Sequence, residues 1–350
     1  MTSRILLGLL ALCFSLRLFA VDNPYQLTTE AQLPALAPQL ASFWQQHAQT
    51  GHLTGVDGVQ LAYAVLRHPD SKGSILVVNG RTESLMKYQA TAYDLYQQGY
   101  SVYLYDHRGQ GLSDRLLQDH DKGHVNRFDD YVQDMRTLME QLVLADKPAH
   151  LKLLAHSMGG AISLRYLDRW PNDFEAVALV SPMLGIRLAP LPDWLANLLT
   201  RLLDWLYGLF GAESPYAPGT GPYTRVPFPG NELSQSPLRY GLFRDLYDAQ
   251  PQLRIGGPTV RWIYQSLAAA ELATDSGSRS QVPLLLIQAG GDSVVTPAPQ
   301  DRFCALRQAA GHPCEGGQPL VIPGAWHDLF NEADTYRLPA LTAVLNFFSK

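Results

Sequence analysis

Short apolar runs alternating with amphipathic stretches organise this chain. Val59 to Leu66 reads as a strand, and Ser74 to Val78 as a buried strand ending at Asn79-Gly80. Ser84 to Gln98 reads as a helix stopped by Gly99, and Ser101 to Tyr105 as a second buried strand closing at Asp106. Arg127 to Leu144 follows as an amphipathic helix, Leu151 to Ala155 as a strand, Met158 to Trp170 as a helix stopped by Pro171, and Ala176 to Val180 as a strand. Apolar runs this short are buried on both faces, and the helices between them supply the cover. The pattern therefore predicts βαβ units on a mainly parallel sheet. The rhythm breaks at about Met183. From 183 to 274 the chain is rich in Pro, Gly, Trp and Tyr, with helical pieces at Asp193 to Phe210 and Thr259 to Ala273. Alternation then resumes with strand Pro283 to Gln288, helix Pro299 to Ala309, strand Leu320 to Ile322 and helix Thr335 to Phe348. The expected fold is a doubly wound, mostly parallel α/β core over 21–182 and 275–350, with a helical lid inserted at 183–274.

With 46% apolar residues the chain can fill one large core. Its net charge of −5 and the lack of any Lys/Arg block argue against a nucleic-acid partner, which needs a basic footprint to neutralise phosphates. Met1 to Arg4 carries a positive charge, Ile5 to Leu16 is apolar apart from Gly8 and Ser15, and Ala20 precedes a polar stretch. That arrangement reads as a secretory signal peptide over 1–20, too short to span a bilayer. Export to the periplasm or beyond is expected; the alternative is an uncleaved signal anchoring the chain in the inner membrane. Cys13 follows Leu12 rather than a small residue, so it is not a lipidation site. Cys304 and Cys314 would remain after cleavage, either as a disulfide or as two unrelated thiols.

The chemistry centres on Ala155-His156-Ser157-Met158-Gly159-Gly160, where a strand turns into a helix. A serine on such a turn crowds the residues two before and two after it, and those are Ala155 and Gly159. A hydroxyl needs a base and the base an orienting acid. In a doubly wound sheet these arrive in the order Ser, Asp/Glu, His on loops after strands. Asp292 follows strand Pro283 to Gln288, ahead of its rivals Asp275 and Asp301, neither of which follows a strand. Of 10 histidines, His327 is the one that follows the last strand. Acyl transfer also needs donors for the oxyanion. The expected pair is the backbone N–H of Met158, at a helix N-terminus, and that of Arg81, after Gly80.

The strings Asp106-His107-Arg108-Gly109-Gln110-Gly111, Gly123-His124-Val125-Asn126-Arg127-Phe128 and His156-Ser157-Met158-Gly159-Gly160 resemble the monoacylglycerol-lipase-like branch of the α/β-hydrolases. More narrowly, they are similar to bacterial lysophospholipases of the L-two type. So are Gly256-Gly257-Pro258-Thr259, Asp301-Arg302-Phe303-Cys304 and Ala309-Ala310-Gly311-His312-Pro313. The resemblance covers about Leu53 to Phe348. It implies hydrolysis of a single acyl ester on a glycerol lipid, without metal or cofactor, with Ser157, Asp292 and His327 on the triad positions and Arg81 and Met158 on the oxyanion positions. Two departures stand out: Ala155 replaces the usual first glycine of the elbow, and Asn79 stands where relatives often carry histidine.

Asp106 to Gly111 lacks the Lys-Ser/Thr of a phosphate loop and reads as support for the site. Arg108 and His124 are candidate head-group contacts, and Trp205 a candidate acyl contact. The segment Leu195 to Phe210 is apolar on more than one helical face. It either packs on the core or forms an acyl groove or a membrane-facing rim. His312 and Cys314 are too few ligands for a metal site. Monoacylglycerol lipase, general carboxylesterase and a lipid-binding carrier are the alternatives to lysophospholipase.

Overall fold

The computed structural model describes residues 21–188 and 192–350; the signal-peptide reading of 1–20 lies outside the described residues. Eight strands form one sheet: β1 Ala48–Thr54, β2 Gln60–Leu66, β3 Ser74–Val78, β4 Ser101–Tyr105, β5 Leu151–His156, β6 Ala176–Val180, β7 Leu284–Ala289 and β8 Leu320–Ile322. Their order is β1-β2-β4-β3-β5-β6-β7-β8, antiparallel at β1/β2 and β2/β4 and parallel from β4 onward. The chain winds outward from β3 in one direction to β4, then returns to lay β5 on the other side. The sheet's switch point thus falls between β3 and β5, where Val78 lies opposite Ala155. Ligand sites of open α/β sheets form at the carboxyl ends of strands at such a point.

Helices cover both faces: α1 Leu33–His47, α2 Gln89–Gln97, α3 Phe128–Leu138, α4 Met158–Leu167, α5 Asp193–Leu209, α6 Pro237–Ala249, α7 Val260–Asp275, α8 Pro297–Ala309 and α9 Asp334–Phe348. Successive strand residues point to opposite faces. Accordingly, Leu76 and Val78 join α3, α4 and α7 in one core layer, while Ile75 and Val77 join α1, α2 and α9 in the other.

Several elements depart from the sequence reading. α1 and β1 precede the first strand read there; β1 is a polar edge strand whose Gly51 lies under the Tyr63 ring, 2.6 Å from the hydroxyl at the position a Cβ would take. The helix expected over Ser84 to Gln98 opens as a 3-10 turn at Leu85–Tyr88, with the Leu85 N–H donating to Asp106. The helix expected over Arg127 to Leu144 widens into a π turn at Met139–Val143.

The insertion between β6 and β7 does not behave as one unit. α7, capped by Thr259 Oγ1, contributes Val260, Trp262, Ile263 and Leu267 to the main core. α6 carries a small cluster of its own with Phe243, Tyr247 and Leu253. α5 is tied to α7 by the Asp204–Arg261 ion pair and turns Trp194, Leu198, Leu202, Trp205 and Leu209 outward. Cys304 on α8 and Cys314 form a disulfide. Among the described residues no helix is long and apolar enough to cross a membrane.

Candidate active site

Ser157 joins β5 to α4 at φ 51° and ψ −119°, a conformation that residues with a Cβ rarely adopt. Its own N–H is held by the Val180 carbonyl at 3.1 Å. The turn depends on small neighbours. A Cβ on Gly159 would stand 2.3 Å from the Val78 carbonyl oxygen, and one on Gly160 2.6 Å from Pro182 Cβ.

The structure brings the three residues expected from sequence order into one hydrogen-bonded chain. His327 Nε2 lies 2.9 Å from Ser157 Oγ, and His327 Nδ1 lies 2.7 Å from Asp292 Oδ2. The other Asp292 oxygen accepts the Val294 and Val295 N–H groups at 2.8 and 3.0 Å. Burial alone would raise the Asp292 pKa, but the His327 bond and charge and these backbone donors hold it below the ordinary carboxyl value. An ionised Asp292 sets Nδ1 as the protonated nitrogen and leaves Nε2 to accept the serine proton. The acid and base loops are joined directly, Gly290 N–H to the Ile322 carbonyl and Gly291 N–H to that of Ala325. Ser157 and His327 are only 7% and 4% exposed, so the reacting groups are nearly enclosed.

The loop after β3 runs against the serine: a Cβ on Gly80 would be 3.1 Å from Ser157 Cβ. The N–H groups of Arg81 and Met158 have no hydrogen-bond partner among the described residues, leaving both available to an oxyanion. Asp106 to Gly111 supports this loop. Gln110 Nε2 donates to the Gly80 carbonyl at 2.7 Å, His107 Nε2 meets the Asn79 carbonyl at 2.9 Å, and Asn79 Nδ2 donates to Asp106 at 3.2 Å.

The candidate substrate contacts need correction. Arg108 is fully buried and donates twice to Asp134, at 2.6 and 2.7 Å, with Asp130 close by. It joins its loop to α3 and cannot reach a head group. His124 is buried, its ring nitrogens at 2.9 Å from Thr259 Oγ1 and 3.1 Å from Asn126 Oδ1, which joins the Gly123 loop to the insertion. Trp205 is 59% exposed on the outer face of α5 rather than lining the site.

A buried polar network behind His327 was missed from sequence. Lys87 Nζ bridges Glu83 and Asp328 at 2.6 and 2.5 Å. Glu83 also accepts from Tyr88 Oη at 2.6 Å and Gly80 N–H at 2.5 Å, and faces His156 Nδ1 at 3.2 Å. Burial would raise the Glu83 pKa, but Lys87 and His156 hold it well below the ordinary value. Burial would lower those of Lys87 and His156, and the carboxylates raise both instead. Glu83, His156 and Asp328 present ligand atoms close enough for a metal ion. The Lys87 ammonium already occupies the position between the two carboxylates and supplies the positive charge there.

Comparison with known proteins agrees with this architecture. The Hydrolase_4 family model, described as serine aminopeptidase, S33, matches residues 69–334. Lysophospholipase L2 of Escherichia coli strain K12 is 41% identical over 311 residues, covering 89% of this chain and 90% of that protein. A probable lysophospholipase L2 of Haemophilus influenzae is 32% identical, covering 89% and 95%. Among solved structures, the monoacylglycerol lipase of Paleococcus ferrophilus superposes with a TM-score of 0.63 at 20% identity, covering 83% of this chain and 98% of that one. A Bacillus coagulans carboxyl esterase does so with 0.65 at 16% identity, covering 86% and 98%; at such identities the likeness concerns the fold. With more than half its length matched by one family model and two relatives above 30% identity, the chain belongs to the Hydrolase_4 family of α/β-hydrolases.

Proposed function

We propose that the protein is a lysophospholipase, a serine hydrolase that removes the single acyl chain of a lysophospholipid through an acyl-enzyme. The observation that carries this reading is the Ser157–His327–Asp292 chain of hydrogen bonds beside the Arg81 and Met158 N–H groups, which have no partner among the described residues. The 41% identity to the E. coli lysophospholipase selects the substrate class. Ser157 Oγ attacks the ester carbonyl carbon while His327 Nε2 takes its proton, and the Arg81 and Met158 N–H groups receive the oxyanion. Collapse breaks the ester C–O bond, and His327 returns the proton to the departing glycerol oxygen. Water, deprotonated by His327, then attacks the acyl-enzyme and releases the fatty acid.

An aminopeptidase reading requires a carboxylate to hold a substrate ammonium. Asp292 is taken by His327, and Glu83 and Asp328 are both engaged by Lys87, which disfavours it. Fluorophosphonate should label Ser157, and the enzyme should hydrolyse lysophosphatidylcholine faster than monoacylglycerol or short p-nitrophenyl esters. A preference for monoacylglycerol would replace this reading with the monoacylglycerol lipase one, and a folded but unlabelled protein with the lipid-carrier one.

The outward apolar face of α5 is the part that meets lipid. Trp194 and Trp205 on α5 and Phe210 just after it, 69%, 59% and 86% exposed, form an apolar surface suited to the interface of a bilayer. Serine at all three positions should abolish flotation with phospholipid vesicles while fluorophosphonate labelling persists. The Cys304–Cys314 disulfide and the N-terminal apolar segment support export to an oxidising compartment, with an uncleaved inner-membrane anchor as the alternative.

A further inference from the structure

Arg81 contributes its backbone N–H beside Ser157, yet its side chain is the least satisfied cation near the site. The guanidinium has five N–H donors. Its one hydrogen bond to the described residues runs from Nη2 to the Gly256 carbonyl at 2.7 Å, and Nε is buried without a partner. No carboxylate of the described residues lies within salt-bridge distance, whereas the buried Arg108, Arg239 and Arg337 each reach an aspartate. Arg307, also without an acid, is bonded to the Ser280 and Val282 carbonyls away from the site. Burial lowers the Arg81 pKa to about 10, and only Tyr131 acts the other way.

The surroundings bring this cation to the seam between the core and the insertion. It packs 5.0 Å from the centre of the Trp262 ring on α7. A Cβ on Gly123 would stand 2.5 Å from Nη2, so a residue without a side chain is needed there. A half-buried guanidinium short of partners is a receptor for a planar or tetrahedral oxyanion, which it can grip with two parallel N–H groups.

We propose that the Arg81 guanidinium binds the phosphodiester of a lysophospholipid whose ester carbonyl lies on the Arg81 N–H, making one residue both oxyanion donor and head-group selector. This rests on the lysophospholipase reading above. The spans agree. Ester carbonyl and phosphate are separated by the glycerol carbons and two oxygens, roughly 6 Å at ordinary bond lengths, comparable to the reach of an arginine side chain from its own backbone. A monoacylglycerol offers a neutral hydroxyl at that place and leaves the guanidinium unanswered, so the same side chain discriminates between the two lipid classes.

The test uses the fact that substitution at 81 removes the guanidinium but keeps the backbone N–H. Arg81→Ala and Arg81→Gln should lower kcat/KM for lysophosphatidylcholine on the order of 100-fold relative to monoacylglycerol, mainly through KM. Arg81→Lys should recover part of the ratio as a point charge. Glycerophosphocholine should inhibit the native enzyme competitively and the Arg81→Gln enzyme far more weakly. Fluorophosphonate labelling of each variant separates a folded site from a lost one. An equal loss on both substrates would reduce Arg81 to a strut under the Gly256 loop and overturn the proposal. So would native enzyme that ignores glycerophosphocholine while hydrolysing lysophospholipid. A native enzyme without activity on lysophospholipid would instead remove the function reading, and this proposal with it.

Discussion

His156 packs with its ring centre 5.0 Å from that of His327, and its Nε2 meets the His327 backbone carbonyl at 3.2 Å. Its other nitrogen faces the Glu83 oxygen that also accepts the Gly80 N–H. One carboxylate thereby spans the oxyanion loop and the loop of the base. Acceptors on both sides suit a protonated ring, in keeping with the raised His156 pKa.

Glu83→Gln should therefore disturb chemistry and stability together. Lys87 would keep a single carboxylate, and breaking a buried ion pair costs about 3–5 kcal/mol. kcat should fall about tenfold with KM little changed, because substrate contacts stay while the relation of base to oxyanion loop loosens. Steady-state kinetics alongside chemical denaturation would show it; a variant with native kcat would dissociate the network from catalysis.

Asp292→Asn should leave the fold intact and lower kcat about 10⁴-fold, because an amide facing His327 Nδ1 favours the wrong tautomer. Ser157→Ala should abolish fluorophosphonate labelling altogether. Both are read by burst kinetics on an activated ester, where retention of the burst in either variant would contradict the roles assigned.

The site was largely legible because each of its groups sits on a loop directly after a strand. Ser74–Val78, Ser101–Tyr105, Ala176–Val180 and Leu320–Ile322 have in the structure the bounds read from their apolar runs, and Ser157, Asp292 and His327 follow from that frame. The polar network was not legible. Lys87 looks like part of the solvated face of the helix read over Ser84 to Gln98 until Phe243 from the distant insertion, its ring centre 4.3 Å from Lys87 Nζ, covers it. Arg108 reads as a loop cation because its partner Asp134 lies on α3, 26 residues away. β1 escaped for the opposite reason: Gln49, Thr50, Gly51 and His52 give an edge strand no apolar signal.

The Cys304–Cys314 bond closes a link of sequence separation 10, for which restriction of the unfolded chain contributes about 3 kcal/mol. Reduction, or serine at both positions, should lower the melting temperature of the folded enzyme by several degrees while leaving kcat near native. Calorimetry with and without dithiothreitol checks this, and coincident transitions would show the bond to be thermodynamically idle.

His107 should make stability fall in acid. Burial lowers its pKa from 6.5 to about 4, with the Asn79 carbonyl and Glu83 opposing. The unfolded chain therefore takes up the proton first. The contribution is fully present above pH 6.5 and is lost as pH falls towards 4, about 3 kcal/mol over that window at the usual conversion. Burial raises the neighbouring Asp106 to about 7, which pushes stability the other way, so the comparison is with His107→Gln. Urea unfolding of both proteins across this range should give a shallower dependence for the variant, and parallel curves would count against the assignment.

The backbone at Ser157, with φ 51°, is one that glycine adopts without penalty and a residue with a Cβ only at about 1 kcal/mol or more. It follows that Ser157→Gly, dead as a catalyst, should melt above Ser157→Ala and above the native enzyme. At this single α-carbon, reactivity and durability ask for different residues, and the chain carries the less comfortable one.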